Sequence, residues 1–256
     1  MRKPALMILA AAAATNLWAL QGTLTTETET LTGEIKWQAR NKQYVISVKK
    51  GKTTVDMERK LDDVTGLDIP KPEGFDNAVE QVDGGQGAAA IPVLTKIVAD
   101  YRMLQWDKPA GRYLAFAYLS AGNADKAYST CQAIVSEDKK SAYSGDLAAA
   151  YWQAMLKLGK MEQLENLLKK AATSGDRASS AAALVMRGDI IVSASNDAPD
   201  KLKEALRAGY LRVVLMYQDA ACARERGEAL LKAAQCFDKL GQSARAEHLR
   251  QQAKSM

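Results

Sequence analysis

Cysteine and histidine are scarce in this chain, whose 256 residues include three cysteines and one histidine. The cysteines do not form a paired-thiolate metal motif, and His248 has no evident partner for metal binding or for acid–base catalysis. Residues 84–87 are rich in glycine but lack the lysine of a phosphate-binding loop, so we interpret them as a turn. We therefore expect no catalytic residue, no metal and no cofactor, in a protein that is not an enzyme.

The three cysteines are Cys131, Cys222 and Cys236. Cys131 and Cys236 lie among apolar residues at helical spacing, where a free cysteine behaves as a small hydrophobic residue. A disulfide between Cys222 and Cys236 is the alternative in an oxidising compartment. Both interpretations stay open at the level of sequence.

Long hydrophobic runs are also missing. The apolar run at residues 6–14 is nine residues long, which is too short to span a bilayer. It follows Arg2 and Lys3 and precedes a more polar stretch that ends at Ala19, an order typical of a secretory signal peptide. We expect residues 1–19 to be removed and the mature protein to be periplasmic or secreted, in a bacterium. An uncleaved N-terminal anchor is the alternative.

A strong excess of one charge is absent as well. The formal net charge is +5 at pH 7, and removal of Arg2 and Lys3 lowers it to +3. This excess is too small to indicate binding to nucleic acid, which we therefore do not expect as the partner.

What the chain does contain is a short pattern that recurs along its length. The first four copies begin 36 or 37 residues apart, at Ala78, Ala115, Trp152 and Gly188, and a later copy begins at Ala234. A period in this range is typical of stacked helical hairpins.

The copy that begins at Ala115 illustrates the physical meaning of the spacing. Ala115 and Tyr118 share one face of a helix, because residues three or four apart lie on the same side. Gly122 follows as a turn residue that ends the helix at low steric cost. The small side chain of Ala127 then lets a second helix approach the first closely.

This pattern resembles the tetratricopeptide repeat (TPR) family, in which a small residue is followed by an aromatic, a turn residue and an alanine. The best matches are Ala115/Tyr118/Gly122/Ala127 and Ala234/Phe237/Gly241/Ala246. The resemblance covers residues 73–254 and implies about five helical hairpins in a solenoid, with an insertion at residues 195–200. The family's usual role implies a scaffold that binds another protein.

In the TPR family the first helix of each hairpin lines an inner groove that holds peptides. The resemblance places the following residues in such a groove: Arg112, Phe116, Gln153, Asp189 and Gln235. Some members of the family capture an acidic C-terminus with several basic residues. That role is not implied here, because Arg112 alone is basic among the matched positions. Packing between helices is the alternative role of each residue.

The segment from residue 20 to residue 69 has a different period. Apolar and polar residues alternate, as in Tyr44, Ile46 and Val48, and turn signals interrupt the runs at residues 40–42, 50–52 and 62–63. This rhythm predicts a small five-stranded β-barrel, and it resembles the SH3-like or Sm-like barrels of some bacterial envelope proteins. Pro70 and Pro72 then indicate a domain boundary.

Basic residues are concentrated in this predicted barrel, where eight Lys or Arg lie between Lys36 and Lys60. Lys49, Lys50 and Lys52 surround a predicted hairpin tip, and Trp37 and Tyr44 are interleaved with the basic residues. The run is either a solvated surface or a contact for an acidic glycan, a lipid surface or, less in keeping with export, a nucleic acid.

The sequence therefore predicts an α+β protein with a signal peptide (1–19), a small β-barrel (20–70) and a TPR-type helical domain (71–256). We expect an exported, non-enzymatic scaffold that binds a cell-envelope protein through its helical groove. A polymer- or surface-binding module that uses the basic barrel is the alternative. The sequence does not set the oligomeric state.

Overall fold

The computed structural model describes residues 19–256, so the predicted signal peptide lies outside the described residues except for Ala19. The described part of the chain divides into two compact units, and the division lies between Pro70 and Lys71. The division falls within the proline-containing segment.

The first unit contains an antiparallel sheet, which has five strands within residues 19–70. The strands are β1 (Leu20–Thr26), β2 (Thr30–Gln38), β3 (Gln43–Lys50), β4 (Thr53–Lys60) and β5 (Val64–Asp68), with a 3₁₀ turn at Leu61–Asp63. Their order is β4-β3-β2-β1-β5, because the last strand returns to pair with the first. The predicted five-stranded β unit is confirmed, whereas its assignment to SH3-like or Sm-like barrels stays a prediction.

Alternation along the strands builds the core of this sheet. Ile35 faces Ile46 across β2 and β3, and Leu24 of β1 is fully buried beside them. Trp37 and Tyr44 are also buried, with ring centroids 4.9 Å apart. Apolar side chains at every second position therefore fill one side of the sheet.

The second unit is helical. Its helices are α1 (Phe75–Asp83), α2 (Gly87–Asp100), α3 (Asp107–Ser120), α4 (Ala124–Glu137), α5 (Asp146–Lys157), α6 (Met161–Ala172), α7 (Arg177–Ser193), α8 (Pro199–Ala205), α9 (Leu211–Met216), α10 (Ala223–Lys239) and α11 (Ser243–Lys254). Short 3₁₀ turns lie at Lys139–Ala142 and Ala220–Cys222, and a π-helical segment, Leu206–Tyr210, joins α8 to α9.

The helices pair into hairpins, and residues 71–256 contain five of them, as predicted. The first helices of the hairpins are α1, α3, α5, α7 and α10. The second helices are α2, α4, α6, α8 with α9, and α11. Each of α2, α4 and α6 also packs against the first helix of the next hairpin, which produces the continuous core of a solenoid.

Glycines form the turns where the repeat pattern predicts them. Gly85, Gly122, Gly159 and Gly241 all have positive φ angles, between 68° and 79°. The fourth hairpin turns through the predicted insertion instead, where Asn196 and Asp197 take positive φ angles of 43° and 61°. Asparagine and aspartate tolerate this conformation better than most residues that carry a Cβ.

The small residue of the pattern is buried in the copies that match best. Ala127 and Ala246 have no exposed surface, and the larger Leu164 is equally buried in the third hairpin. The predicted small positions therefore lie in the packed core of their hairpins, and Leu164 fills the same place with a larger side chain.

Candidate protein-binding face

The first helices lie side by side and form what we call the inner face. Contacts run from α3 to α5, from α5 to α7 and from α7 to α10. Arg224 of α10 reaches Asp146 of α5 with an N–O distance of 2.9 Å, although α7 lies between these two helices in the stack. An ion pair that passes over an intervening helix indicates that the row curves, with a concave inner face.

Asp189 of α7 is the centre of a polar network on this face. Gln153 Nε2 of α5 donates to its Oδ2 atom at 2.6 Å, and Lys232 Nζ of α10 donates to the same oxygen at 2.5 Å. The hydroxyl of Tyr210 donates to Oδ1 at 2.8 Å. One carboxylate thus joins three first helices and the π-helical segment.

The charges around Lys232 explain why it stays protonated although it is largely buried. Burial by itself lowers the pKa of this lysine, but the nearby carboxylates of Glu228 and Asp189 outweigh that effect and leave the pKa raised. Glu228 Oε1 lies 2.8 Å from Lys232 Nζ. Burial and the charge of Asp189 also raise the pKa of Tyr210, so its hydroxyl remains a donor.

Arg112 and Phe116 of α3 form a second feature of the inner face. The guanidinium carbon of Arg112 lies 5.4 Å from the ring centroids of both Tyr113 and Phe116. Within the described residues its Nε atom is buried and has no hydrogen-bond partner. Burial, and then the charge of Arg224, lower the pKa of Arg112. Arg112 is therefore a half-buried cation packed against two aromatic rings.

A cavity of about 410 Å³ lies beside the Arg224–Asp146 ion pair. Small side chains from α5, α7 and α10 line it, including Ala149, Ala182 and Ala223. Because these side chains are short, this part of the inner face is open to a ligand chain.

The structure brings four of the five predicted groove residues into two local groups, Arg112 with Phe116 and Gln153 with Asp189. Gln235 is exposed on α10 and is not joined to either group by a hydrogen bond in the part of the chain that the structure describes. No observation tests ligand binding by these residues, so their role stays a prediction.

Sequence reasoning missed the charged residues of α10 that reach the inner face. Arg224, Glu228 and Lys232 are spaced four apart, a pattern that places them on one side of a helix. The resemblance to the repeat family selected Gln235 on this helix instead, and Asp238, three residues further along, forms an ion pair with Arg250 of α11.

The predicted basic surface lies at the tip of the β3–β4 hairpin. Lys49, Lys50 and Lys52 are all exposed there, next to the turn at Gly51. Trp37 and Tyr44 are buried in the sheet, so they are not available as platforms for stacked bases. This burial removes the aromatic part of the nucleic-acid alternative.

The residues with potential redox or metal chemistry do not converge. Cys131, Cys222 and Cys236 are free and buried, which agrees with the buried-thiol interpretation. Burial raises the pKa of Cys131 to about 12. Between residues 19 and 256 no group of three or more His, Cys, Asp or Glu side chains could hold a metal ion. None of the helices described there combines the length and apolar character that crossing a membrane requires.

No protein-family model matches this chain, and no curated protein matches it in sequence. Among solved structures, the chain is similar to two crystal structures of a kinesin light chain from Podosopora anserina with nearly identical TPR-like repeats. In both cases the identity is 17%, the match covers 70% of this chain and 91% of the other, and the TM-score is 0.40. The hairpins, turns and packing of this chain themselves define its fold.

Proposed function

We propose that this protein is a non-enzymatic scaffold that binds another protein through the concave inner face of its helical unit. The observation that carries the proposal is the half-buried Arg112 guanidinium beside Phe116, which forms no ion pair within the described residues. An incoming carbonyl or carboxylate oxygen would accept hydrogen bonds from the terminal NH groups of this guanidinium. Phe116 would contact an apolar side chain of the same ligand.

The other predicted groove residues have a different part in this proposal. Gln153 and Asp189 are already bonded within the protein, so their contribution is to hold α5, α7 and α10 in a fixed curve. Gln235 and Leu231 are exposed on α10, and Leu231 is 49% exposed. These two side chains would extend the contact surface along α10, the first helix of the fifth hairpin.

Variants of α3 test the proposal. Wild-type protein and a variant with Arg112→Ala and Phe116→Ala would be used to capture partners from a cell-envelope extract. A partner recovered in stoichiometric amount by the wild type and lost by the variant supports the proposal. The control is Lys139→Ala with Lys140→Ala, since both lysines are exposed in the turn before α5. Recovery of the same protein by the α3 variant would contradict the inner face as the binding site.

The cellular location is the second part of the proposal. The succession of basic, apolar and more polar residues within positions 1–19 supports export to a bacterial periplasm or to the exterior. N-terminal sequencing of the mature protein from fractionated cells should begin at Leu20. An intact N-terminus in the cytosolic fraction would contradict export.

The basic hairpin tip supports a second candidate function, binding to an acidic polymer or surface. Lys49, Lys50 and Lys52 project from one turn, and such clusters attract polyanions in a salt-dependent way. Reversal of all three to glutamate should lower the salt concentration that elutes the protein from a dextran sulfate column. The matched control reverses Lys139, Lys140 and Lys157, and equal elution of both variants would exclude a specific role of the tip.

A further inference from the structure

A second cleft lies on the helical unit, away from the inner face. Its volume is about 340 Å³, and residues of α6, α7, α9 and the π-helical segment line it. Arg187 of α7 lines this cleft, whereas Asp189 is directed to the inner face. Residues two positions apart in an α-helix are rotated by about 200° around its axis, so Arg187 and Asp189 lie on nearly opposite sides of α7.

A close approach of two backbones holds the walls of this cleft. A Cβ atom added to Gly209 would lie 2.8 Å from the backbone nitrogen of Gly188 and 2.8 Å from the carbonyl oxygen of Leu184. Glycine at this position therefore lets the π-helical segment touch α7. Arg187 and Ala208 immediately precede the two contacting glycines, so this contact fixes both of them at the cleft.

Positive charge dominates the rim of the cleft. Lys169, Arg187 and Arg212 come from three different helices and are all exposed, and Glu165 is the acidic residue of the lining. Within residues 19–256 none of these three cations forms a salt bridge or a side-chain hydrogen bond. Other cations of the helical unit form ion pairs, as Arg177 does with Asp219 and Lys201 with Glu204.

The floor of the cleft is apolar. It consists of Leu168, Ile190, Ile191 and Ala208. A ligand that matches this arrangement has carboxylates for the rim and an aliphatic side chain for the floor. A cleft of this size holds only a few side chains, whereas nucleic acid is bound along an extended basic groove.

We propose that this cleft binds an acidic segment of a protein partner, with one aliphatic residue of that segment on the apolar floor. Each arginine offers a planar group that can bind a carboxylate through two hydrogen bonds. The proposal does not rest on the function proposed for the inner face, because the two sites share no lining residue.

Fluorescence anisotropy tests the proposal with a labelled peptide of sequence Glu-Asp-Leu-Glu-Asp. The uncharged peptide Gln-Asn-Leu-Gln-Asn and a peptide with serine in place of leucine serve as comparisons. We expect the wild type to prefer the acidic peptide over both. Equal binding of the uncharged peptide would overturn the role of the cations, and equal binding of the serine peptide would overturn the role of the floor.

Charge reversal locates the site. Arg187→Glu combined with Arg212→Glu should weaken binding of the acidic peptide by about tenfold or more, since attraction is replaced by repulsion at two positions. The control, Lys157→Glu with Lys170→Glu, changes the net charge equally at exposed positions outside the cleft. Equal weakening by both variants would show non-specific attraction and overturn the proposal.

Two further outcomes would also overturn it. One is the absence of peptide binding at millimolar protein. The other is binding to phosphatidylglycerol vesicles without binding to the peptide, which would assign the cleft to a membrane surface. Because the variant residues are exposed, thermal unfolding should show that both double variants remain folded.

Discussion

Arg224 and Asp146 are 78 residues apart in sequence and form an ion pair of 2.9 Å across the inner face. The pair connects the third hairpin directly to the fifth. Its geometry indicates that the row of first helices curves, which would bring the candidate binding residues of separate hairpins onto one concave surface. The pair itself is partly exposed, so its contribution to stability is small.

Asp189 is expected to matter most for the stability of this surface. Asp189→Ala removes the acceptor of Gln153, Tyr210 and Lys232, and leaves the largely buried Lys232 charge with one fewer partner. The free energy of unfolding should fall by about 2–4 kcal/mol. Urea unfolding measures the change, with Asp238→Ala as control for a more exposed ion pair, which should cost less than about 1 kcal/mol. Equal losses would argue against Asp189 as a junction.

The contact between Gly188 and Gly209 gives a second prediction. Gly209→Ala should destabilise the fourth hairpin by about 2 kcal/mol or more, because the new methyl group meets backbone atoms that cannot move independently. Gly227→Ala is the matched control, since Gly227 lies within α10 and an added Cβ would meet no atom within 4 Å. This change should stabilise the protein by about 0.5–1 kcal/mol. A neutral Gly209→Ala variant in thermal unfolding would contradict the close approach.

The small residue of the repeat pattern gives a third prediction. Ala127 is fully buried in α4, so Ala127→Trp should lower the free energy of unfolding by about 3 kcal/mol or more through overpacking. Ala133 lies on the exposed side of the same helix, and Ala133→Trp should change stability by about 0.5 kcal/mol or less. Similar urea midpoints for the two variants would exclude a tightly packed position at Ala127.

Asp138 gives a prediction about acid stability. Burial tends to raise the pKa of this carboxyl, but the hydrogen bond and charge of Lys108, with the hydroxyl of Ser141, outweigh it and hold the pKa below 3.8. Lys108 Nζ lies 2.7 Å from Asp138 Oδ2. Since the pKa is lower in the folded state, the carboxylate stabilises the protein above pH 3.8, and this contribution disappears as the pH falls through the folded pKa.

The variant Asp138→Asn should therefore be less stable than the wild type at neutral pH, and the difference should shrink in acid. Urea unfolding at a series of pH values between neutrality and about pH 2 measures this convergence. Asp125→Asn changes an exposed carboxylate in the first turn of α4, the helix that precedes Asp138, and serves as control. A difference between Asp138→Asn and wild type that does not change with pH would show that the charge of Asp138 is not the cause.

The local elements of this protein could be predicted from its sequence because they depend on neighbours along the chain. The stripe through Ala115 and Tyr118, the turn at Gly122 and the small residue at Ala127 all lie within one hairpin, so spacing alone predicted their roles. The alternation around Ile35 and Ile46 predicted strands for the same reason. Spacing did not predict that Gln153 and Asp189 are bonded to each other, whereas Nε of Arg112 has no hydrogen-bond partner within the described residues.

The sequence by itself determined two things: a β unit before Pro70 and stacked helical hairpins after it. Only the tertiary structure decided which charges meet. Lys232 reaches Asp189 across 43 positions in sequence, and Arg187 and Arg212 meet at one cleft because Gly188 touches Gly209. These contacts depend on the curvature between hairpins and on a π-helical segment, and neither leaves a periodic signal in the residues of a single helix.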